Sequence, residues 1–387
     1  MTDGRTGTVR VQVRPDLLRW ARERSGLGLD ALAHRFPKLA DWERETARPT
    51  LRQLEQFAKA TRTPVGYLFL PQPPAEEVPI PDFRTVGNVH IGRPSPDLLE
   101  SLYLCQQRQE WYRDYARSMR EEPLAFVGSA TPESSVEATA ARMRTALAFD
   151  LDERQRMPTW TDALRRFIEQ ADALGVLVMV SGIVRNNTHR RLDPDEFRGF
   201  ALADDLAPVV FINGADTKAA QMFTLAHELA HIWLGQSALS DVGPITAPSH
   251  RVESWCNRVA AELLVPLDLI RDEYQRDAEL GDEMDRLARR FKVSTLVILR
   301  RIHDAGGITQ DRLREAYEEE LERLRAIPRG TGGDFYLTQA ARVGKRFACA
   351  LVASTLEGQT LHRDALHLLA ISKIATFREL GHSLGIS

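Results

Sequence analysis

The sequence is poor in cysteine, in long apolar runs and in any excess of one charge. Its 387 residues include three cysteines, Cys105, Cys256 and Cys349, and an odd, widely spaced set argues against a disulfide framework and for a reducing compartment. No uncharged apolar run approaches the ~20 residues that span a bilayer, and the start, MTDGRTGTVRVQVRP, has no apolar core of signal-peptide length. The formal net charge of −3 gives no whole-chain reason to expect a nucleic acid or a membrane. These absences predict a soluble cytoplasmic protein.

The chain does have enough apolar residues, 43%, to bury the cores of two or three domains. Residues 14–70 show apolar positions three and four apart, which is typical of short helices. PQPPAEEVPIPD, residues 71–82, is the clearest linker, and PRGTGGD, residues 328–334, is a second. Further helices are predicted at 96–120, 132–150, 159–174, 217–235, 250–265, 283–305 and 309–327, and short strands at 175–184, 197–204 and 207–213.

The segment FTLAHELAHIWLG, residues 223–235, has a pattern with a chemical mechanism. On a helix, His227 and His231 lie one turn apart on the same face, so their imidazoles can converge on one ion. Zinc binds neutral imidazole nitrogen, and a catalytic zinc site needs three protein ligands and an open position. Glu228 lies one step round the helix, where it can accept a proton from the attacking water and pass it to a leaving amine. His-Glu-x-x-His on a helix therefore predicts a zinc site.

The alternative is an ordinary amphipathic helix that carries two histidines by chance. The other positions of the segment are almost all apolar, which predicts a buried helix. Placing His227, Glu228 and His231 in such a helix costs free energy unless they are paired or bind a metal. The context therefore favours the zinc site.

The third metal ligand is predicted on the next helix, which offers Glu253, Glu262 and His250. Glu253 and Glu262 are nine residues apart, about 900° of helix, so they point to opposite faces and cannot both meet the metal. Glu253 shares its face with Cys256 and Asn257. Spacing alone does not choose among the three candidates.

AHELAHIWLG followed by ESWCNRVAAELLVP resembles the ImmA/IrrE family of zinc metallopeptidases of bacteria and their mobile elements, over roughly residues 160–270. The resemblance implies that Glu253, three residues before Cys-Asn, completes the metal site, and that Glu262 is structural and pairs with an arginine. Asn257 is then placed to orient that carboxylate or a bound peptide, with an ordinary buried amide as the equal alternative. Cys256 is interpreted as a small buried hydrophobe in preference to a thiolate ligand. His250 stays a candidate for supporting the site.

The resemblance also implies an edge strand that pairs with an extended substrate. PVVFIN, residues 208–213, is the candidate, and an interior core strand is an equal interpretation of it. The residue that stabilises the tetrahedral oxyanion is not assigned by spacing, and its candidates include His250 and Tyr274.

Near the amino terminus, WERETARPTLRQLEQFAKATRTPVGYLF resembles the end of a phage-repressor-like helix-turn-helix domain. The stretch before it, HRFPKLAD, is about a turn shorter than in that family, and Pro37 interrupts it. Residues 1–75 carry a net charge of +5, from thirteen Lys/Arg and eight Asp/Glu. Two interpretations stay open: the domain binds DNA, or it is a decayed repressor fold that docks a partner or the protease domain. In the first, five residues contact phosphates: Arg35, Lys38, Arg44, Arg48 and Arg52.

These features together predict an α+β, mainly helical fold. It comprises a zincin-like metallopeptidase core with a small β-sheet, an N-terminal helix-turn-helix-like bundle and a C-terminal helical module. The predicted domains are 1–72 for the helix-turn-helix-like domain, 73–130 for the Pro-rich linker and long helix, 131–327 for the metallopeptidase with a helical extension, and 328–387 for the C-terminal module.

The predicted function is that of a zinc-dependent endopeptidase. Zn²⁺ is the expected cofactor, bound by His227, His231 and Glu253, with Glu228 as the base. The resemblance implies a protein substrate, a transcriptional repressor or antitoxin-like regulator, in stress response or mobile-element control. DNA is a further candidate partner through the N-terminal domain, a homodimer is a candidate assembly through the C-terminal module, and no membrane is expected.

The alternative function is a non-enzymatic DNA-binding regulator or antitoxin whose zinc site is structural or a sensor. A closed structural site needs a fourth protein ligand. Cys256 and His250 are the residues near enough in sequence to supply one.

Overall fold

The computed structural model describes residues 9–83, 85–86, 89–90, 93–240, 251–325 and 335–386. Contacts divide the chain into two compact units, Met1–Pro79 with Gly92–Glu100, and Ile80–Ile91 with Ser101–Ser387. His250 and the second linker, 328–334, lie outside the described residues. Among the residues described, no helix is long and apolar enough to cross a membrane. The four domains and their boundaries, as drawn from the sequence, stay predictions.

The first unit is a small helical bundle with its own core. Its helices are α1 (Pro15–Arg24), α2 (Leu29–Ala33), α3 (Leu39–Glu43) and α4 (Leu51–Ala60), followed by a 3₁₀ helix at Val65–Phe69. α4 begins with a capping box, in which the Gln53 N–H donates to Thr50 Oγ1 at 3.2 Å and the Thr50 N–H donates to Gln53 Oε1 at 2.9 Å. Trp20, Trp42 and Phe57 are all buried in the shared apolar core.

The helices in the place of the DNA-reading part of a repressor-like domain are short. α2 ends at Ala33, and α3 spans only Leu39–Glu43, which is about one and a half turns. Pro37 lies between them, where its ring prevents a continuous helix. The stretch HRFPKLAD, which is short in the sequence, therefore lies between two short helices and extends into the second.

The second unit contains the sheet and most of the helices. Its elements are β1 (Thr85–Val86), β2 (Val89–His90), α5 (Pro96–Ser118, whose first turn belongs to the first unit), α6 (Val136–Ala146), α7 (Leu151–Arg156), α8 (Trp160–Leu174), β3 (Leu177–Ser181), β4 (Gly199–Leu202), β5 (Val209–Asn213), α9 (Lys218–Leu234), β6 (Ala238–Ser240), α10 (Arg251–Leu264), α11 (Leu267–Glu273), α12 (Leu280–Phe291), α13 (Thr295–Asp304), α14 (Gln310–Arg325), α15 (Phe335–Val343), α16 (Lys345–Leu356), α17 (His362–Leu368) and α18 (Ile374–Ser383).

The sheet has the strand order β3-β5-β4-β6. β3 is parallel to β5, whereas β4 is antiparallel to both β5 and β6. β5, which carries the apolar VVFIN segment, is an interior strand and is buried along its whole length. Of the two interpretations of that strand, the interior one therefore applies, and the edge strand beside β4 is β6.

The main core lies where α8, α9 and α10 meet the sheet. α9 packs against α8, β4 and β5 on one side and against α10 on the other. Phe167, Leu229 and Trp255 belong to this core and are fully buried. The fold is mainly helical with one small mixed sheet, which confirms the predicted α+β class.

The stretch 283–305, predicted as helical, consists of two helices. α12 ends at Phe291, and Lys292 takes a left-handed φ of 53°. Ser294 then caps α13 by accepting a hydrogen bond from the Val297 N–H at 3.3 Å. This left-handed conformation usually selects glycine. Here the residue is Lys292, so no Gly or Pro marks the turn in the sequence.

Candidate metal centre

α9 is a buried helix with well-defined ends. It follows Thr217, whose Oγ1 accepts a hydrogen bond from the Ala220 N–H at 3.2 Å, and it stops at Gly235, which has the left-handed φ of 67° of a helix C-cap. Every residue from 221 to 234 is buried. A helix covered on all sides belongs in a core, so the polar side chains of its middle turns must find partners inside the protein.

His227, His231 and Glu253 point their ligand atoms at one another. The Nε2 atoms of His227 and His231 are 3.1 Å apart. Glu253 Oε2 lies 3.3 Å from His227 Nε2, and Glu253 Oε1 lies 3.0 Å from His231 Nε2. Ligands about 2.0–2.1 Å from a tetrahedral zinc ion are separated by roughly 3.3 Å. The three side chains are therefore spaced as the ligands of one ion would be.

Two polar atoms of this cluster are buried without a hydrogen bond. Among the residues that the structure describes, no hydrogen-bond partner is found for the Nδ1 atoms of His227 and His231. One such buried polar group costs about 1–3 kcal/mol, and here they gather in one place. A cation held by two imidazole nitrogens and a carboxylate would use the converging atoms, so these residues fit a divalent metal ion.

Burial and the facing charges set the pKa values of the cluster. Burial raises the pKa of Glu228 well above its ordinary value, and the charge of Glu253 raises it further. Burial lowers the pKa of His231 against the attraction of Glu253, which favours the neutral ring that binds metal. Burial alone would raise the pKa of Glu253, but the two histidines outweigh it and hold that pKa well below its usual range. The carboxylate is therefore ionised and ready to bind a cation.

The sheet closes the cluster from the side of β4 and β6. Ser240, the last residue of β6, has its Oγ 3.4 Å from His231 Nε2. On β4, a Cβ added at Gly199 would lie 2.6 Å from Thr224 Cγ2 and 3.2 Å from Glu228 Oε1. Glycine at this position therefore lets β4 approach the motif helix closely. No sequence pattern singles out either residue, because both depend on contacts across the sheet.

The other residues predicted for the site are placed as follows. Glu262 forms an ion pair with Arg301 and accepts a hydrogen bond from the Leu267 N–H at 3.2 Å, so it does not face the histidines. Cys256 is fully buried, and burial followed by the charge of Glu253 raises the pKa of its thiol well above the usual value. Asn257 lies one turn after Glu253 on α10, and its buried Oδ1 has no hydrogen-bond partner in the described part of the chain.

Neither candidate for stabilising the oxyanion gains support from the described residues. Tyr274 lies at the end of α11, where its ring is close to Gly307, and burial followed by the charge of Glu283 raises its pKa. His250 lies outside the described residues.

The five basic residues proposed to contact DNA all lie on the first unit with exposed side chains. They are Arg35, Lys38, Arg44, Arg48 and Arg52. Arg35 stacks its guanidinium over the ring of Phe36, and the carbonyl of Arg48 accepts a hydrogen bond from Arg10 at 2.6 Å. Their exposure is compatible with phosphate contacts and equally with a solvated surface, so their role stays a prediction.

Comparison with known proteins identifies one part of the chain. Residues 171–303 match the family model of the M78 peptidases, described as the IrrE N-terminal-like domain, and residues 343–383 match a domain of unknown function, DUF8813. The radiation response metalloproteases IrrE of Deinococcus radiodurans and Deinococcus deserti are 36% and 38% identical to this chain over 91 residues. That segment is 22% of this chain and 28% and 32% of the two relatives, so the likeness concerns one domain.

The matched range includes His227, Glu228, His231 and Glu253, the four side chains that meet between α9 and α10. Residues 171–303 are therefore similar to the IrrE N-terminal-like domain, in agreement with the resemblance of the motifs to the ImmA/IrrE family.

Proposed function

We propose that this chain is a zinc-dependent endopeptidase that cleaves another protein, a transcriptional repressor or antitoxin-like regulator. The observation that carries the proposal is the convergence of His227, His231 and Glu253, whose ligand atoms are 3.0, 3.1 and 3.3 Å apart. The family match of this domain and the name metalloprotease of both relatives support the reaction type. The regulator as substrate, and a role in stress response or mobile-element control, rest on the resemblance of the motifs.

His227, His231 and Glu253 would hold the zinc ion. When bound, zinc polarises a carbonyl oxygen and lowers the pKa of a water molecule. Three protein ligands leave one position open for that chemistry, and no fourth His, Cys, Asp or Glu joins the cluster among the described residues. Cys256 is not among the residues whose ligand atoms converge. These observations favour the protease over a regulator with a closed structural zinc site.

Glu228 would carry the proton of the reaction. Its side chain is fully buried beside the proposed ligands, next to Ser240 of β6. One oxygen would accept the proton of the attacking water and then deliver it to the amine nitrogen of the departing peptide. Its place one step round the helix from His227 keeps it beside the ligands without making it one of them.

The first unit would recognise the substrate, its promoter or both. Its exposed basic residues, including Arg44, Arg48 and Arg52, suit a phosphate backbone or an acidic protein surface. The short α3 favours docking to a protein over reading bases. A homodimer through the C-terminal helices and a cytoplasmic location stay predictions.

The test of the proposed function is Glu228→Gln, which keeps the size of the side chain and removes its basicity. We expect cleavage of an unfolded protein substrate to fall by about 10²–10⁴-fold, the usual contribution of a general acid–base group. Zinc per chain, measured by mass spectrometry of the metal, should not change. Glu110→Gln, an exposed position on α5, is the matched control and should cleave normally. Full cleavage by the Glu228→Gln protein would remove Glu228 from the mechanism.

A further inference from the structure

Residues 81–83, on the carboxyl side of the first linker, add a short extra strand to the sheet. The Leu239 N–H donates to the Pro81 carbonyl at 2.9 Å, and the Phe83 N–H donates to the Leu239 carbonyl at 2.9 Å. Asp82 is thereby bridged in parallel to Leu239 of β6. Because the other edge of β6 is paired with β4, this segment takes the edge that β6 would otherwise leave open.

The same segment reaches the metal centre. The ring of Phe83 stacks on the imidazole of His231, with centroids 6.4 Å apart and planes 10° from parallel. β6 itself ends at Ser240, whose Oγ is 3.4 Å from His231 Nε2. A peptide backbone paired with the edge of β6 that faces away from β4 therefore lies next to the proposed zinc ligands.

An extended peptide commonly binds a protein by adding a strand to an exposed sheet edge, where main-chain hydrogen bonds give affinity and side-chain pockets give specificity. A protease that cleaves a protein must hold its substrate in such an extended form beside the reacting groups. Within the described residues, β6 is the strand that ends at the cluster. Its edge away from β4 is the one that Pro81–Phe83 occupies.

The resemblance of the motifs implies a substrate-binding edge strand, and β6 is the edge strand that reaches the cluster. We propose that Pro81–Phe83 occupies that edge, with Phe83 over His231, and blocks the protease. The inference rests on the proposed function, whose regulation and substrate class it specifies. The described contacts of the segment with the edge include two main-chain hydrogen bonds and one ring contact, and a longer peptide strand offers the same kinds of contact over more residues. Activation then requires that the segment leave the edge.

Many proteins cover a sheet edge only to prevent aggregation, and that is the competing explanation of this pairing. It predicts no exchange between the segment and a peptide from solution. The proposal predicts that a free peptide and Pro81–Phe83 compete for one place, so weakening the segment must strengthen binding of the peptide.

The first test measures binding without catalysis. A fluorescent peptide of sequence VPIPDFRTV is titrated into the full-length, zinc-loaded Glu228→Gln protein, with and without Phe83→Pro. Proline removes both the N–H that donates to Leu239 and the ring over His231. We expect the Phe83→Pro protein to bind the peptide at least tenfold more tightly by anisotropy. Equal affinity in the two proteins would overturn the proposal and leave edge protection as the explanation.

Two controls keep that result interpretable. Glu77→Pro places the same substitution at an exposed linker position and should leave peptide affinity at that of the parent. If Phe83→Pro fails to fold, Phe83→Ala keeps the N–H and removes only the ring, and we expect a smaller gain in the same direction. A scrambled peptide of the same composition should bind no better to any variant.

The second test measures cleavage of an unfolded protein substrate by chains with Glu228 intact. We expect Phe83→Pro to raise kcat/KM at least tenfold over the parent, with Glu77→Pro unchanged. The two tests separate the two hypotheses. If no variant cleaves but the peptide affinities differ as expected, the protease is disproved and the peptide-binding edge of β6 is kept. If cleavage occurs but the peptide affinities are equal, the self-blocking segment is disproved and the protease is kept.

Discussion

Glu253 brings a carboxylate from α10 to the two imidazoles of α9, so metal affinity should depend on it. Side chains that only hydrogen-bond to metal ligands change affinity by about 10–100-fold when mutated, so losing a direct, charged ligand should cost more. We expect Glu253→Gln to lower zinc affinity more than about 100-fold in competition with a chromogenic chelator. Glu262→Gln, on the same helix but paired with Arg301, should affect stability and leave zinc affinity unchanged. Equal zinc affinity of Glu253→Gln and the parent would remove Glu253 from the ligand set.

Asp172 on α8 should make stability depend on pH. Burial raises the pKa of this carboxyl from 3.8 to about 7, although the Val178 N–H, Arg346 and Lys345 oppose the shift. Below pH 3.8 the carboxyl is protonated in both the folded and the unfolded chain. As the pH rises from there to about 7, the unfolded chain loses its proton first, so the folded state is progressively destabilised.

Asp172→Asn keeps an oxygen acceptor for the Val178 N–H and cannot ionise. We therefore expect it to raise the free energy of unfolding at pH 8 by about 1–2 kcal/mol, less than the full shift implies because a partly buried group relaxes. Near pH 4 the two proteins should be almost equally stable. Urea unfolding at both pH values measures this difference, and a gain that is the same at pH 4 and pH 8 would contradict the raised pKa.

At the scale of elements, the metal centre depends on how closely β4 approaches α9. A Cβ at Gly199 would lie 2.8 Å from the Phe211 carbonyl oxygen and 2.6 Å from Thr224 Cγ2, and the backbone carbonyl cannot turn away. We expect Gly199→Ala to lower the free energy of unfolding by about 1–3 kcal/mol, as overpacking usually does, and to lower cleavage because Glu228 is pushed aside. The matched control is Gly66→Ala, where nothing lies within 4 Å of the added Cβ. Denaturant unfolding and the cleavage assay on both variants check this, and a fully stable, active Gly199→Ala protein would show that the strand can retreat freely.

The elements that local sequence determines were the predictable ones. The sequence predicts α9 and α10 to within about a residue of their bounds, because apolar spacing, the Thr and Gly that flank α9 and the Pro that follows α10 are local signals. The convergence of Glu253 on His227 and His231 followed from a family resemblance, since helix geometry alone left Glu262 and His250 open. Those distances now agree with the resemblance, while the roles of the residues stay a proposal.

The elements that non-local contacts determine escaped prediction. β6 has three residues, too few for a pattern of alternation. Its pairing with Pro81–Phe83 joins positions more than 150 residues apart, and no periodicity records such a contact. The turn at Lys292 also lacked a signal, because packing of α12 against α13 holds a non-glycine residue in a left-handed conformation.

At the scale of the whole molecule, the two units have separate apolar cores, one around Trp20 and Phe57 and one around Phe167 and Trp255. The first stretch of the first unit runs to Pro79, and Ile80 begins the second unit. The segment that covers β6 therefore follows this stretch almost directly in the chain.

That covalent connection changes how strongly a three-residue strand can compete. A strand that belongs to the same chain as its docking edge competes at an effective concentration set by the connecting segment, on the order of millimolar for a short flexible one. A regulator protein at micromolar levels would be outcompeted unless it bound elsewhere on this chain as well. In a protease of this kind, the rate of cleavage would depend more on whether the target is bound nearby than on the concentration of the target. Such a protease is gated by proximity.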